Sequence, residues 1–248
     1  MKFRLLGPLE VGLTPQPTVI AGPQQRALLA MLLLNAGRVV SSWDLIAELW
    51  PQRAETVRRN TLHAQVARLR NTLLIGARGR MPVALYSRSS GYVLDIDPDD
   101  LDVTHFHRLR RRASTVAMQE PVRAIGAFRQ ALSLWRGTAL QDAALGKRCQ
   151  AAAASLDEAR LHVHEQLANL HISHDDPGKI VDDLQELVHL YPMRETLLAR
   201  LMAALHGCGR RAEALHLYLD ARRRFNDELG MEPGEAMRNE YLRILKED

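Results

Sequence analysis

Between Glu55 and Leu73 the chain reads ETVRRNTLHAQVARLRNTL. At 100° per residue, Val66, Leu69 and Leu73 fall within about 40° of Leu62, while Asn60, Ala64, Ala67 and Asn71 fall on the far side. Arg59, His63, Arg68 and Arg70 flank that far side. The spacing predicts a helix anchored by an apolar stripe, with an outer face that is positive, amide-bearing and small at Ala64 and Ala67. Small residues on an exposed ridge let another backbone approach closely, and arginine, asparagine and histidine donate to phosphates and base edges.

The flanking pattern gives this helix a setting. Upstream, KFRLLG, LEVGL and TVIAG are interrupted by Gly7-Pro8, by Pro15 and Pro17, and by Gly22-Pro23, which predicts a small antiparallel sheet with tight turns. Gln24 to Asn35 reads as a helix with a broad apolar face that includes Ala27, Leu28 and Leu32, ended by Gly37. Ser41 or Ser42 caps the next helix, whose buried side is Leu45, Ile46, Leu49 and Trp50 and which Pro51 stops. Thr56 caps the basic helix. After it, Arg78-Gly79-Arg80-Met81-Pro82 breaks the period, and VALYS, a turn at Arg88-Ser89-Ser90-Gly91 and YVLDI read as a hairpin. Sheet, three helices and hairpin is the order of a small α+β winged helix-turn-helix, whose third helix enters the major groove while the wing touches adjacent backbone.

From Asp95 to Asp102 the chain is acidic, DIDPDDLD, which places a linker near residue 97 and divides the chain into 1–97 and 98–248. Beyond it only helical periods occur: Val103 to Met118, Pro121 to Leu134, Ala151 to His171, Lys179 to Tyr191, Glu195 to His206 and Arg211 to Leu229. Tyr191 and Phe225 stand 34 residues apart near predicted helix ends, the repeat length of tetratricopeptide helix pairs. Together with ALSLW near Leu134 and EALHLY near Leu217, that spacing predicts an all-α tetratricopeptide-like helical-repeat domain rather than a plain bundle.

Charge sharpens the division. The 248 residues carry a formal net charge of +4, but residues 1–95 are at net +7 and residues 96–248 at net −3. A basic head on a mildly acidic body fits nucleic acid at one end and protein at the other. With 46% hydrophobic residues both parts have material for a core, and global disorder is excluded. Cys149 and Cys208 form no metal-ligand spacing and imply no disulfide framework, which suits a reducing, cytoplasmic setting. The longest apolar run, Leu28 to Leu34, is too short to span a bilayer, and MKFRLLG has no export pattern.

Catalytic chemistry finds no foothold. The sequence has no Walker loop, zinc spacing or nucleophile elbow, so no catalytic residue, metal or cofactor is assigned. His162, His164, His171 and His174 invite a metal cluster, yet the first two are two apart on a predicted helix and face different ways. Cys208, between Gly207 and Gly209, reads as a small turn residue, and Trp135 as a core or helix-end anchor.

These motifs carry a resemblance. GPQQRALLAMLLLNAGRVVSSWDLIAELW, then RRNTLHAQVARLRNTL and SSGYVLDI, resemble the DNA-binding domain of the Streptomyces antibiotic regulatory protein family, a domain type shared with response-regulator output domains. LDVTHFHRL, AFRQALSLWRGTAL, ASLDEARLHVHEQL and ALHLYLDARRRFNDELGMEPGEAM resemble that family's bacterial transcriptional activator domain. The loop after Trp50, PQRAETVRR, departs from the family pattern in having fewer prolines and more arginines. The resemblance implies an activator of an actinobacterial secondary-metabolite gene cluster. It further implies that the protein binds direct repeats in double-stranded promoter DNA and recruits RNA polymerase through its sigma factor and other subunits; direct repeats permit head-to-tail assembly on DNA without a stable dimer in solution.

On the exposed arc of the basic helix, Asn60, Thr61, His63, Ala64 and Arg68 are the candidate base readers. Arg59 and Arg70 beside them, with Arg88 at the wing turn, are the candidate phosphate contacts. The competing reading is a scaffold in which winged helix and repeats both dock protein. A concentration of net +7 on the smaller part favours DNA.

Overall fold

In the computed structural model, the described residues are 3–12, 18, 20–52, 59–76 and 84–246. They form two compact units: residues 1–109 with 130–159, and residues 110–129 with 160–248.

The first unit is built on α1 (Pro23–Leu34), which opens with Pro at its first turn after Gly22 at φ +82°. Every residue from Ala27 to Leu33 is buried, so α1 is apolar around its whole circumference and serves as the central post. It ends at Asn35, whose amide Nδ2 donates to the Met31 carbonyl at 2.8 Å, and Gly37 turns the chain at φ +74°. The strand β3 (Val40–Ser41) follows, and then α2 (Ser42–Leu49), capped as expected by Ser41, whose Oγ accepts from the Asp44 N–H at 3.0 Å. Next come α3 (Arg59–Gly76) and the wing strands β4 (Ala84–Arg88) and β5 (Gly91–Asp95). Thr56, expected to cap α3, and the Arg78 to Pro82 break lie outside the described residues.

The N-terminal sheet is smaller than the sequence suggests. The strands β1 (Phe3–Arg4) and β2 (Glu10–Val11) pair over two residues, and among the described residues the third expected strand contributes one bridge, Val11 to Thr18. The wing sheet is larger, with order β3-β5-β4 and all pairs antiparallel. Gly91 makes that third strand possible, since a Cβ there would sit 1.9 Å from the Val40 carbonyl oxygen.

One apolar core joins Phe3, Leu28, Leu32, Leu45, Leu49, Leu62, Val66, Leu69 and Leu94 with Leu101, Leu140, Ala143 and Cys149. Residues 130–159 thus supply part of the core, and polar ties through Glu48, Asp102 and Arg136 hold the first unit together. Glu48 of α2 is 2% exposed, and its carboxylate accepts the main-chain N–H groups of Gly146 (2.8 Å), Arg148 (3.0 Å) and Cys149 (3.2 Å) at the start of α6 (Lys147–His174). Asp102, 1% exposed in the first turn of α4 (Asp102–Val116), accepts the N–H groups of Leu5 and Leu6 at 2.9–3.0 Å. Burial pushes its carboxyl above the usual range, while the Leu5 and Leu6 N–H groups and the Arg136 guanidinium pull it back. Arg136 pairs with Glu10 at 2.7 Å and donates to the Pro8 carbonyl at 3.0 Å. Trp135, buried as an anchor, packs edge-to-face on Phe106 with ring centroids 5.3 Å apart.

Helices α4, α5 (Pro121–Leu132) and α6 each contribute residues to both units. The second unit continues with α7 (Gly178–Leu190), α8 (Glu195–Gly207), α9 (Arg211–Leu229) and α10 (Glu235–Lys246), and all of its described elements are helical. Gly230 ends α9 in the left-handed conformation at φ +65°, its N–H donating to the Asn226 carbonyl at 2.9 Å.

The structure departs from the sequence expectations at two points and adds one helix. Helix α6 starts at Lys147 rather than Ala151, because Glu48 satisfies its first N–H groups from outside the helix. Helix α10 was not anticipated; its fully buried positions are Met237 and Ile244, too few for a clear period, and Tyr241 stacks on Tyr218 at 4.1 Å. Tyr191 and Phe225 are not equivalent, since Tyr191 caps the end of α7 and is exposed while Phe225 is buried inside α9.

Candidate nucleic-acid interface

The predicted rotation of α3 is the observed one. Leu62, Val66, Leu69 and Leu73 are 0–4% exposed, and Arg59, Asn60, Thr61, His63, Ala64, Ala67, Arg68 and Asn71 are all exposed. Two polar locks fix that rotation. Gln25 on α1, itself buried, donates its amide to the main-chain carbonyl of Gln65 at 3.0 Å and also to the Gln65 side chain. Arg70 donates Nε to the Leu85 carbonyl at 2.9 Å and Nη2 to the Ser87 hydroxyl at 3.0 Å, tying α3 to β4.

All five candidate base readers lie on the exposed face of α3. His63 stands against the wing, its ring edge-on to Tyr92 at 6.1 Å, and burial raises the Tyr92 hydroxyl above its ordinary pKa. The three candidate phosphate contacts are placed differently. Arg59 opens the described part of α3 and is exposed. Arg70 is half-buried with two donors committed to the wing, leaving its remaining N–H groups for a phosphate. Arg88 ends β4 beside the wing turn, its guanidinium 5.3 Å over the Tyr86 ring and donating to the Ser87 carbonyl at 3.3 Å.

Arginine, asparagine, histidine and threonine side chains around a small-residue ridge suit a groove lined by phosphates and base-edge acceptors. Among the described residues, no group of three or more His, Cys, Asp or Glu side chains is arranged to hold a metal ion, and no helix is long and apolar enough to cross a membrane. His164 is half-buried, and burial followed by the charge of Arg160 lowers its pKa to about 4. His171 is buried and bonded through Nδ1 to Asp175 at 2.8 Å.

Two further exposed residues of the first unit are not among the sequence candidates. Trp43 is 63% exposed on α2, and Arg148 reaches back from α6 to Asp44 at 2.6 Å. Trp43 already stood outside the Leu45, Ile46 and Leu49 stripe, so its exposure was readable. Arg148 is 104 residues from Asp44 and had no local signal.

Comparison with known proteins agrees with this geometry. The family described as "Transcriptional regulatory protein, C terminal" matches residues 16–94, and "Bacterial transcriptional activator domain" matches residues 101–245. The "Transcriptional regulator RedD" of Streptomyces coelicolor is 36% identical over the whole chain, which spans 71% of that relative. The "Regulatory protein DnrI" of Streptomyces peucetius is 32% identical over the whole chain, which spans 93% of it. Among solved structures, Mycobacterium tuberculosis EmbR in complex with a low affinity phosphopeptide superposes with a TM-score of 0.87 at 29% identity, covering all of this chain and 65% of the EmbR chain. With a winged helix whose third helix turns a basic face outward, helices beyond it in the chain and matches along its full length, the chain belongs to the Streptomyces antibiotic regulatory protein family of transcriptional regulators.

Proposed function

We propose that the protein activates transcription of a secondary-metabolite gene cluster by seating α3 in the major groove of promoter DNA. The observation that carries this reading is the outward face of α3, where basic, amide and small side chains are exposed together on a helix locked in rotation by Gln25 and Arg70. Asn60, Thr61, His63, Ala64 and Arg68 read bases; Arg59, Arg70 and Arg88 hold phosphates. The operator is a direct repeat on which copies assemble head-to-tail, and the complex recruits RNA polymerase through its sigma factor and other subunits. Kinship with regulators from Streptomyces supports the choice of target genes. A regulator of this kind works in the cytoplasm, at the nucleoid.

Residues 98–248 act as a tetratricopeptide-like protein-binding body. The support is a burial pattern that repeats at 34 residues: Ile180, Leu184 and Leu187 on α7 correspond to Ala214, Tyr218 and Ala221 on α9, and all six are buried. DNase footprinting of the purified chain on its own chromosomal neighbourhood tests the DNA reading. A protected promoter containing short direct repeats is the expected result, and protection indifferent to sequence would overturn it. Open-complex formation by purified polymerase on that promoter, with and without the protein, tests activation.

A further inference from the structure

We infer that the DNA-contact surface extends beyond the winged helix to Lys147 and Arg148 at the start of α6, which act as a second phosphate-binding station. This rests on the DNA reading proposed above. The path can be followed bond by bond within the first unit. The wing turn Ser89-Ser90 is joined to the start of α2, because the Ser42 N–H donates to the Ser90 carbonyl at 2.9 Å. One residue on stands Trp43, 63% exposed, and then Asp44, which receives the Arg148 Nη2 at 2.6 Å. One turn further along α2, Glu48 holds the Arg148 main-chain N–H at 3.0 Å.

Arg148 is therefore fixed at both ends. Its backbone is pinned by Glu48, and its side chain lies along α2 toward the end that meets the wing turn. The guanidinium thus meets Asp44, two residues after Ser42, whose N–H joins the wing turn, so that end of α2 links the wing to Arg148. Its side chain remains 60% exposed, and Asp44 accepts one of its five N–H donors, leaving a planar fork to meet a phosphate. Lys147 is exposed next to it. Asp44 has a positioning role, holding a long side chain in one place ahead of binding. Exposed Trp43 stands beside Asp44 in the sequence, at the end of α2 that meets the wing turn, and adds an amphipathic indole there.

Phosphate contacts are independent of sequence, so a 30-base-pair mixed-sequence duplex is a sufficient probe. Its affinity for the full chain is measured by fluorescence anisotropy between 50 and 200 mM salt for wild type, Arg148→Ala and the double variant Lys147→Ala/Arg148→Ala. Each lost contact is expected to flatten the slope of log K against log salt by about 0.9, so the wild-type advantage shrinks about 3.5-fold per contact over that range. The same variants should weaken a footprinted promoter fragment by the same factor as the mixed duplex. Alanine leaves the main-chain N–H that Glu48 holds, and an unchanged unfolding temperature verifies that the fold is retained. A double variant with wild-type slope on both duplexes overturns the inference while leaving the role of α3 intact. Failure of the wild-type chain to bind either duplex instead overturns the DNA reading itself.

Discussion

Replacing Glu48 with alanine should destabilise the first unit far more than its position near the end of a short helix suggests. Three main-chain donors at the head of α6 converge on its carboxylate, at 2.8, 3.0 and 3.2 Å. Two of them, Gly146 and Cys149, are buried, while Arg148 is exposed and can turn to water. Each orphaned buried donor costs about 1–3 kcal/mol. Losing the carboxylate also removes a favourable charge from the positive end of a helix, but it recovers part of the cost of having buried that charge. A net loss of about 3 kcal/mol follows, or about 6–12 °C in Tm for a unit of this size. All three tryptophans, Trp43, Trp50 and Trp135, belong to the first unit, so tryptophan fluorescence isolates its transition from the rest of the helical signal. Glu48→Gln, which keeps an acceptor but loses the charge, should cost about half as much. Gly146→Ala should mimic the loss, because its Cβ would come within 2.6 Å of both the Glu48 carboxyl carbon and the Glu48 main-chain oxygen. A fluorescence transition within about 2 °C of wild type for Glu48→Ala would refute the reasoning.

Four further outcomes are expected. Arg68→Ala should narrow the gap between cognate and scrambled duplex by about 1–3 kcal/mol if its guanidinium grips a guanine; an unchanged ratio in competition binding removes it from the base-reading set. Arg88→Ala should weaken both duplexes alike and flatten the salt slope by about 1, and selective loss of the cognate site would make it a base reader. Leu62, fully buried at the root of α3, should cost about 2–5 kcal/mol when cut to alanine, measured by urea unfolding; a wild-type midpoint would contradict its place in the core. His164, at about 4 when folded against 6.5 ordinarily, favours folding in its neutral form, so its contribution is complete above pH 6.5 and fades as pH falls toward 4. About 2 kcal/mol should be lost by pH 5, and His164→Leu should remove that part of the pH dependence. Parallel stability curves for the two proteins between pH 7.5 and 5 would count against it.

What the sequence made legible was what repeats locally. The stripe from Leu62 to Leu73 determined both the burial of α3 and the face it presents, because a helix with one apolar side has one way to settle on a core. The Ser41 cap was visible for the same reason, since a hydroxyl three residues before an N–H is a local geometry. What escaped depends on partners far along the chain. Nothing near Glu48 announces that it closes a helix 100 residues later, and a glutamate in an amphipathic segment ordinarily reads as solvated. Arg70 was read as a phosphate ligand from its flank position alone, although two of its donors turn inward to the wing. The strand β3 is too short to give an alternating pattern and exists because β5 offers it a Gly91 to lie against. Helix α10 carries its two buried side chains seven residues apart, too sparse to stand out.

The locks on α3 divide its positions into two sets with different freedom to change. Gln65 and Arg70 hold the helix to α1 and β4, and the leucines hold it to the core; a substitution in that set alters the fold first. Asn60, Thr61, Ala64 and Arg68 point away from all of these, and among the described residues their side chains form no hydrogen bond within the chain. Surface substitutions of that kind usually change stability by less than about 0.5 kcal/mol. With α3 reading bases as proposed, descendants of this chain could therefore drift from one operator to another through a series of single replacements, each still folding, with the helix held in the same pose throughout. Retargeting the regulator to a different promoter by design would follow the same route, altering those four positions and leaving Gln25, Gln65 and Arg70 untouched.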